Sequence, residues 1–286
     1  MDNQTYLDKL DILISQAIAE DLGDGDHSTI ACIDRNARGK AELKIKDAGI
    51  LAGVEIARYI FQKFDNEATF TLHKQDGEQM QPGDIAFEIS TGIHQILGCE
   101  RLVLNCMQRM SGIATLTNIY CEKIKAYSTR LLDTRKTTPN FRLLEKEAVR
   151  IGGGYNHRFG LYDMIMLKDN HIDYCGGIEK AIEKAWEYVQ RHKPGLLIEV
   201  ETRNIEDVKR ALSTGKVHRI MLDNFTPAAV SEALTLIDKQ CETEASGGIS
   251  LDNIEAYAAT GVDYISSGAI IHQARSLDLS LKAQTD

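Results

Sequence analysis

Between Asp133 and Ile172 the chain reads DTRKTTPNFRLLEKEAVRIGGGYNHRFGLYDMIMLKDNHI, which sets Arg135, Lys136, His157, Arg158 and Lys168 where an apolar run ends or a glycine loop begins. Positions of that kind hold side chains on rigid supports around a ligand. Arg135 and Arg158 offer planar forks matched to carboxylate or phosphate oxygens, and Lys136 and Lys168 add adaptable point charges. Together they suit a ligand with several anionic groups. The competing role for each cation is an ion pair with Asp133, Asp163 or Asp169. The formal net charge is -9, so this is a local polyanion site in an acidic protein and not part of a generally basic surface.

Acidic and small residues complete the inventory. Glu199 and Glu201 in LLIEVE share one face of a strand, with Glu201 nearer its end, and Asp223 ends the next run, RIMLDN. Such acids suit sugar hydroxyls, Mg2+ with its waters, or a developing positive charge. Ser246, Gly247 and Gly248 close one late run and Ser267, Gly268 and Ala269 the next. Small residues there expose backbone N–H groups ahead of a helix, the form of the phosphate site at the last strands of β/α barrels; close strand–helix packing is the alternative. Gly152 to Gly154 follow a helical stretch, and a single cap explains only one of the three. The others leave backbone able to approach a ligand just before His157, whose alternative role is that of a satisfied core histidine.

These residues need a scaffold, and the second half of the chain repeats one: a short apolar run, a polar end, then an amphipathic stretch. The runs are LLDTRK, MIMLKDN, LLIEVE, RIMLDN, ETEASGG and YISSGA. Between the first two, Phe141, Leu144, Ala148 and Ile151 recur at helical spacing. Alternating strand and helix predicts a parallel sheet. Polar residues at six successive strand ends favour a closed or nearly closed β/α barrel with one functional rim over a doubly wound sheet, which binds at a single switch point. Before residue 115 the segments alternate and are more polar, which predicts antiparallel strands in a separate half. A helix from about Gln95 to Tyr127 is expected to join the halves, with Leu97, Leu104 and Cys106 on its apolar side and a break at Ser111-Gly112.

Composition narrows the classes. At 286 residues, 43% hydrophobic and 26% charged, the chain can bury a full core. Net acidity and 6% aromatic content argue against a nucleic-acid partner. The six cysteines form no C-x-x-C pair or zinc-type run, so reduced thiols are expected. No apolar run approaches membrane-spanning length, and the first residues lack a signal-peptide core, which predicts a cytoplasmic protein without membrane association. No Ser-His-Asp or Cys-His arrangement points to covalent catalysis.

The chain resembles the quinolinate phosphoribosyltransferases, also called nicotinate-nucleotide pyrophosphorylases (carboxylating). The resemblance rests on EDLGDGDHST, ILGCERLVLNCMQRMSGIAT, DTRKTTP, GGGYNHRFGLYDMIMLKDNHI, EVE, LDNF, SGGI and GVDYISSGAIIH, which follow one another over nearly the whole sequence. It implies an α/β fold of two domains: an N-terminal α/β sandwich over residues 1–114, on which 273–286 pack back, and an open, TIM-like β/α barrel over 115–272. It also implies transfer of the phosphoribosyl group of phosphoribosyl diphosphate (PRPP) to quinolinate with decarboxylation, Mg2+ as cofactor, and a homodimer or hexamer with shared sites. Carried over by position, Arg135, His157, Arg158 and Lys168 would hold quinolinate, with Arg101 from a neighbouring subunit. Lys136, Glu201 and Asp223 would be catalytic and contact PRPP, the two acids also holding Mg2+. Ser246, Gly247, Gly248, Ser267 and Gly268 would receive phosphate. The sequence departs from the family pattern at Asn140, where glycine is common, and at Ala245, where serine or valine is frequent. A phosphoribosyltransferase-like protein of molybdenum metabolism, or a non-catalytic binder of a phosphorylated metabolite, are the alternative functions.

Overall fold

The computed structural model describes residues 2–284, which divide into two compact units. The first contains the described residues of Met1–Asn118, Thr137–Gly153 and Ile271–Asp286. Its strands are β1 (Arg38–Ile45), β2 (Gly49–Ile50), β3 (Thr69–Leu72), β4 (Gln79–Met80) and β5 (Ile85–Gly92), and the chain's final strand, β12 (Leu279–Gln284), returns to it. The antiparallel sheet runs β12-β1-β5-β3, and β2 pairs with β4. Alternation explains which side is covered: Ala41, Leu43 and Ile45 of β1 are buried while Lys40 and Lys44 are exposed.

Helices α1 (Asn3–Leu22), α2 (His27–Cys32), α3 (Val54–Phe64), α4 (Ile93–Ile124) and α5 (Arg142–Ile151) accompany these strands. Ile56, Ala57, Ile60 and Phe61 form the buried stripe of α3. The Phe61 ring centroid lies 6.2 Å from Phe87, and the rings of Phe87 and Phe70 stack at 4.3 Å.

The break expected at Ser111-Gly112 is absent, because α4 is continuous over Ile93–Ile124. Long-range packing supplies the reason for both residues. The Ser111 hydroxyl accepts from Ala52 N–H at 3.0 Å and donates to Ala52 O at 3.2 Å. At Gly112 a Cβ would stand 1.9 Å from the carbonyl oxygen of Arg275, so the C-terminal segment crosses the helix where no side chain fits. Leu97 also departs from expectation: Leu104 and Cys106 are buried, but Leu97 is 41% exposed. Leu97, Arg101 and Asn105 form an exposed strip at four-residue spacing.

The second unit comprises Ile119–Lys136 and Gly154–Ile270. Its strands are β6 (Arg130–Leu132), β7 (Ile165–Leu167), β8 (Ile198–Thr202), β9 (Arg219–Asp223), β10 (Glu242–Ser246) and β11 (Tyr264–Ser266), all parallel, in the order β6-β11-β10-β9-β8-β7. The first strand therefore pairs with the last, which is the pairing of a rolled sheet, while among the described residues no ladder joins β6 to β7. Tyr155 extends the β6 edge by one residue, donating to Leu131 O and accepting from Asp133 N–H. The result is an open β/α barrel. Helices α6 (Asp169–Cys175), α7 (Ile178–His192), α8 (Ile205–Ser213), α9 (Pro227–Ile237), α10 (Ile254–Ala258) and α11 (Ala269–His272) follow the strands in turn. Side chains of Asn204 and Thr226 cap α8 and α9.

Replacing Gly112 by alanine is expected to destabilise the protein by about 3 kcal/mol or more, since backbone must move to admit the methyl group. Denaturant titration of Gly112→Ala checks this. A stability equal to that of the parent would show that α4 and the 275 segment are not in contact.

Candidate active site

The strands bring an unusual inventory into the barrel. Glu199 and Glu201 alternate with Ile198 and Val200 on β8, and in the parallel register Glu199 stands beside Arg219, which in turn stands beside Glu242. Glu244 is paired with Tyr264 on the next strand. Barrel interiors are ordinarily filled by branched aliphatic side chains. Here Glu199 and Glu244 are wholly buried and Arg219 nearly so.

Arg219 provides the compensation. Its Nη1 donates to Glu244 Oε2 at 3.0 Å, while Nε and Nη2 donate to Glu242 Oε2 at 3.0 and 2.7 Å. The guanidinium also lies 4.1 Å from the centroid of the Tyr264 ring. On the other side, His157 Nε2 approaches Glu199 Oε2 at 3.1 Å and Glu244 Oε2 at 3.3 Å. Burial works against a proton on this ring, but the two glutamates outweigh it and raise its affinity for one. That pull acts on a second ring proton, for which Nδ1 has no room because it accepts Arg158 N–H at 2.7 Å, so the ring is neutral and its one proton resides on Nε2. Burial and the Glu244 charge raise the pKa of Glu199; Glu244 stays low despite its burial because His157, Ser266 and Arg219 favour its ionised form.

His157, Glu199 and Glu244 place ligand atoms close enough together to hold a metal ion. Arg219 already supplies the positive charge there, and the group is sealed from solvent, so it is an ion-paired core and not a metal centre. The ring of His157 accordingly faces the barrel interior, with only 4% of its side chain exposed. That burial matches the core-histidine alternative.

Towards the C-terminal strand ends the groups open to solvent. Lys168 caps α6 and its Nζ lies 2.6 Å from Glu201 Oε2. Burial raises the Glu201 pKa, the Asp169 carboxylate adds to the rise, and Lys168 opposes it. Asp223, at the end of β9, also acts on Glu201 and accepts from the Asn224 side chain at 2.7 Å. Arg158 is half-buried and donates to Met164 O at 3.2 Å. Burial and the neighbouring charge of Arg135 make its guanidinium less basic, while the carboxylates of Glu199 and Asp163 act in the opposite sense. Asp163 is held by the backbone, its oxygens accepting Phe159 and Gly160 N–H at 2.6 and 2.8 Å, and its charge acts on Arg158. Asp133 accepts His157 N–H at 2.8 Å. Lys136 is exposed beyond β6, where its N–H donates to Thr134 Oγ1. Arg101 belongs to the first unit, on the exposed strip of α4.

The small residues divide into different uses. Gly247 has φ +91° and lies so close to Asn224 that a Cβ would meet its Oδ1 at 2.3 Å, whereas Gly248, φ +63°, faces open space. Ser246 Oγ lies 3.1 Å from Ser266 Oγ, and the buried Ser267 hydroxyl donates to Ile249 O at 3.0 Å. Gly268 precedes α11. Ala245 is fully buried and alternates with Ser246, so its methyl group points away from the loop face. Gly152 is a correction to the expectation of ligand approach: a Cβ there would meet Ala114 O at 2.4 Å, so it is small to admit α4. Gly153 follows at φ +94° as the turn, and Asn140 holds φ +62°, which keeps the turn that glycine would make.

Sequence reasoning did not single out Arg219, Glu242 or Glu244. Their signal was present in E-T-E of β10 and the arginine opening β9, charges at interior positions of core strands. It also missed Glu145, a buried carboxylate that binds Arg109 at 2.8 Å and accepts Thr138 N–H at 2.8 Å. The second half of DTRKTTP is therefore anchored structurally to α5.

The open barrel thus carries arginines, a lysine and acids at the C-terminal ends of its strands. Family models agree: the N-terminal domain of quinolinate phosphoribosyl transferase matches residues 26–111 and its C-terminal domain residues 113–282. The chain belongs to the quinolinate phosphoribosyltransferase family. It is 40% identical to quinolinate phosphoribosyltransferase [decarboxylating] 1b of Nicotiana tabacum, over 96% of this chain and 82% of that protein. It is 41% identical to the probable nicotinate-nucleotide pyrophosphorylase [carboxylating] of Bacillus subtilis, over 94% and 91% of the two chains. The crystal structure of NadC from Streptococcus pyogenes superposes with a TM-score of 0.89 at 41% identity, covering 96% of this chain and 97% of that one.

The raised Glu201 pKa has a defined sign. Stability from this group is fully present below the ordinary glutamate pKa and is lost as pH rises through the higher folded value. Lys168→Met removes the opposing cation and is expected to carry that loss to higher pH, while Glu201→Gln abolishes it. Denaturant unfolding across the acid range, with metal chelated, makes the comparison. Identical pH profiles in all three proteins would contradict it.

Proposed function

We propose that the protein transfers the phosphoribosyl group of PRPP to the ring nitrogen of quinolinate with loss of carbon dioxide, giving nicotinate mononucleotide and diphosphate. What supports this reading is Arg158 under the charge of Arg135, and Lys168 paired to Glu201 near Asp223, at the strand ends of one barrel in a chain of this family. In it, Arg135, Arg158 and Lys168 clamp the two carboxylates of the pyridine, and holding both sets the ring nitrogen in line with the anomeric carbon and lowers the entropic part of the barrier. His157 contributes from below through Arg158.

Departure of diphosphate builds positive charge on the ribose, which the carboxylates of Glu201 and Asp223 face and stabilise while accepting from its hydroxyls. Lys136 and the loops at Ser246-Gly247-Gly248 and Ser267-Gly268 take the phosphates, Gly248 with its open side being the nearest approach. The donors of Glu201 and Asp223 fit Mg2+: hard carboxylate oxygens whose charges act on one another, Glu201 buried and Asp223 partly exposed, the side from which waters would complete the shell. Bound there, Mg2+ supplies charge neutralisation for the leaving diphosphate. After transfer the adjacent pyridinium charge stabilises the electron pair left at C2 as the carboxylate departs as carbon dioxide, and a proton from water then takes that position, so no nucleophilic side chain is required. The exposed Leu97–Arg101–Asn105 strip suits a contact between subunits that brings Arg101 to a neighbour's site, in a homodimer or hexamer. Cytoplasmic residence completes the reading; among the described residues no helix is long and apolar enough to cross a membrane.

Purified protein with quinolinate, PRPP and Mg2+ should form nicotinate mononucleotide and release carbon dioxide; turnover of nicotinate in place of quinolinate would overturn the dicarboxylate assignment. Arg135→Ala and Lys168→Ala should each weaken quinolinate binding by about 1.5 to 3 kcal/mol, read by calorimetry. Unchanged affinity in both would remove them from contact with the ligand. Mixing inactive Arg101→Ala and Arg158→Ala subunits should restore part of the activity, because one mixed site then carries both arginines. No restoration after verified subunit exchange would exclude the shared site.

A further inference from the structure

We propose that Glu199 and Glu244 are positioning residues for this reaction, acting through the His157 ring to hold the backbone of Arg158 and so to place its guanidinium at the mouth of the barrel. The inference rests on the function set out above. Neither carboxylate reaches the mouth, as both are fully buried. A continuous path of contacts nevertheless leads from them to it. Nε2 of His157 stands 3.1 Å from Glu199 and 3.3 Å from Glu244, Nδ1 of the same ring accepts Arg158 N–H at 2.7 Å, and the Arg158 guanidinium lies beside that of Arg135.

The backbone around Arg158 depends on this path because it has no ladder of its own. The last residue here paired to the sheet is Tyr155. Beyond it, His157 N–H is taken by Asp133 and Arg158 N–H by the His157 ring, both side-chain acceptors. If the ring turned, Arg158 N–H would lose its partner and the loop one of its fixed points. Two carboxylates on Nε2 prevent that rotation, one of them anchored in turn by Arg219 at 3.0 Å. A barrel layer serving stability alone is better filled by aliphatic side chains, since burying ion pairs seldom improves on apolar packing. The charged layer is explained by what it holds.

The test compares Glu199→Leu and Glu244→Leu with Glu199→Gln and Glu244→Gln in the full-length protein. Each leucine variant should raise KM for quinolinate by roughly tenfold or more while KM for PRPP stays within about twofold, because a small displacement of Arg158 touches only the pyridine clamp. The glutamine variants keep an oxygen able to accept from Nε2–H and should recover most of the quinolinate KM. A purely structural role predicts the opposite pattern, with both KM values unchanged or both rising in step with lost thermal stability, and that result would overturn the proposal. Independent of activity, 15N NMR of histidine-labelled protein should show His157 protonated at Nε2 and unprotonated at Nδ1 in the parent. A proton on Nδ1 would also overturn it. If the parent fails to turn over quinolinate, the functional reading falls, whereas the NMR measurement still judges the path from the glutamates to Arg158.

Discussion

Carboxylates sealed inside a barrel must be neutralised where they stand, and that constraint organises this site from the bottom upward. At the level of Arg219, one guanidinium spans Glu242 and Glu244 and rests on Tyr264. One step towards the mouth, a single imidazole serves Glu199 and Glu244. At the rim, Lys168 takes Glu201. Each layer sets a base against the acids of the strands beside it, and above them Arg158 feels the like charge of Arg135 as well as the carboxylates of Glu199 and Asp163. An acidic chain thus presents a cationic mouth without a basic surface.

Much of this was legible because it is local. Six apolar runs with polar ends, separated by helical stretches, predicted a parallel sheet, and six polar ends favoured a rolled one over a doubly wound one; the pairing of β6 with β11 agrees with that architecture. The period of two placed Glu199 and Glu201 on one face and Glu201 nearer the rim, where it is less deeply enclosed. What stayed hidden depends on partners far away in sequence. Nothing around Ser111-Gly112 distinguishes a helix break from a crossing point, because Ala52 and Arg275 decide it. Gly152 was read towards a ligand for the same reason, its true neighbour being Ala114 on a distant helix. Leu97 shows the converse, an apolar residue left exposed because α4 has more surface than its own unit covers.

His157 marks the boundary between the two kinds of information. Its place in a glycine loop beside Arg158 pointed to ligand contact, and the loop setting was read correctly. Which way the ring turns was not encoded locally, because it depends on Glu199 and Glu244, two strands apart in the barrel. The orientation observed turns Nδ1 to Arg158 N–H and brings Nε2 to 3.1 and 3.3 Å from the two buried carboxylates.

Lys168 and Glu201 illustrate why the rim must be judged by differences. A lysine ammonium has three donors, and here one is committed to Glu201 at 2.6 Å. A ligand carboxylate at Lys168 therefore shares the ammonium with Glu201 and draws charge away from it. Glu201, already less acidic through burial and Asp169, then gains reason to meet the ribose or a divalent cation instead. Under the proposed function, binding of the pyridine dicarboxylate and readiness of the acid assigned to the sugar would thereby be coupled through one ion pair. Substituting either partner alters both ligands' sites, so the two residues are expected to be strongly non-additive in a double-mutant cycle on the two binding constants.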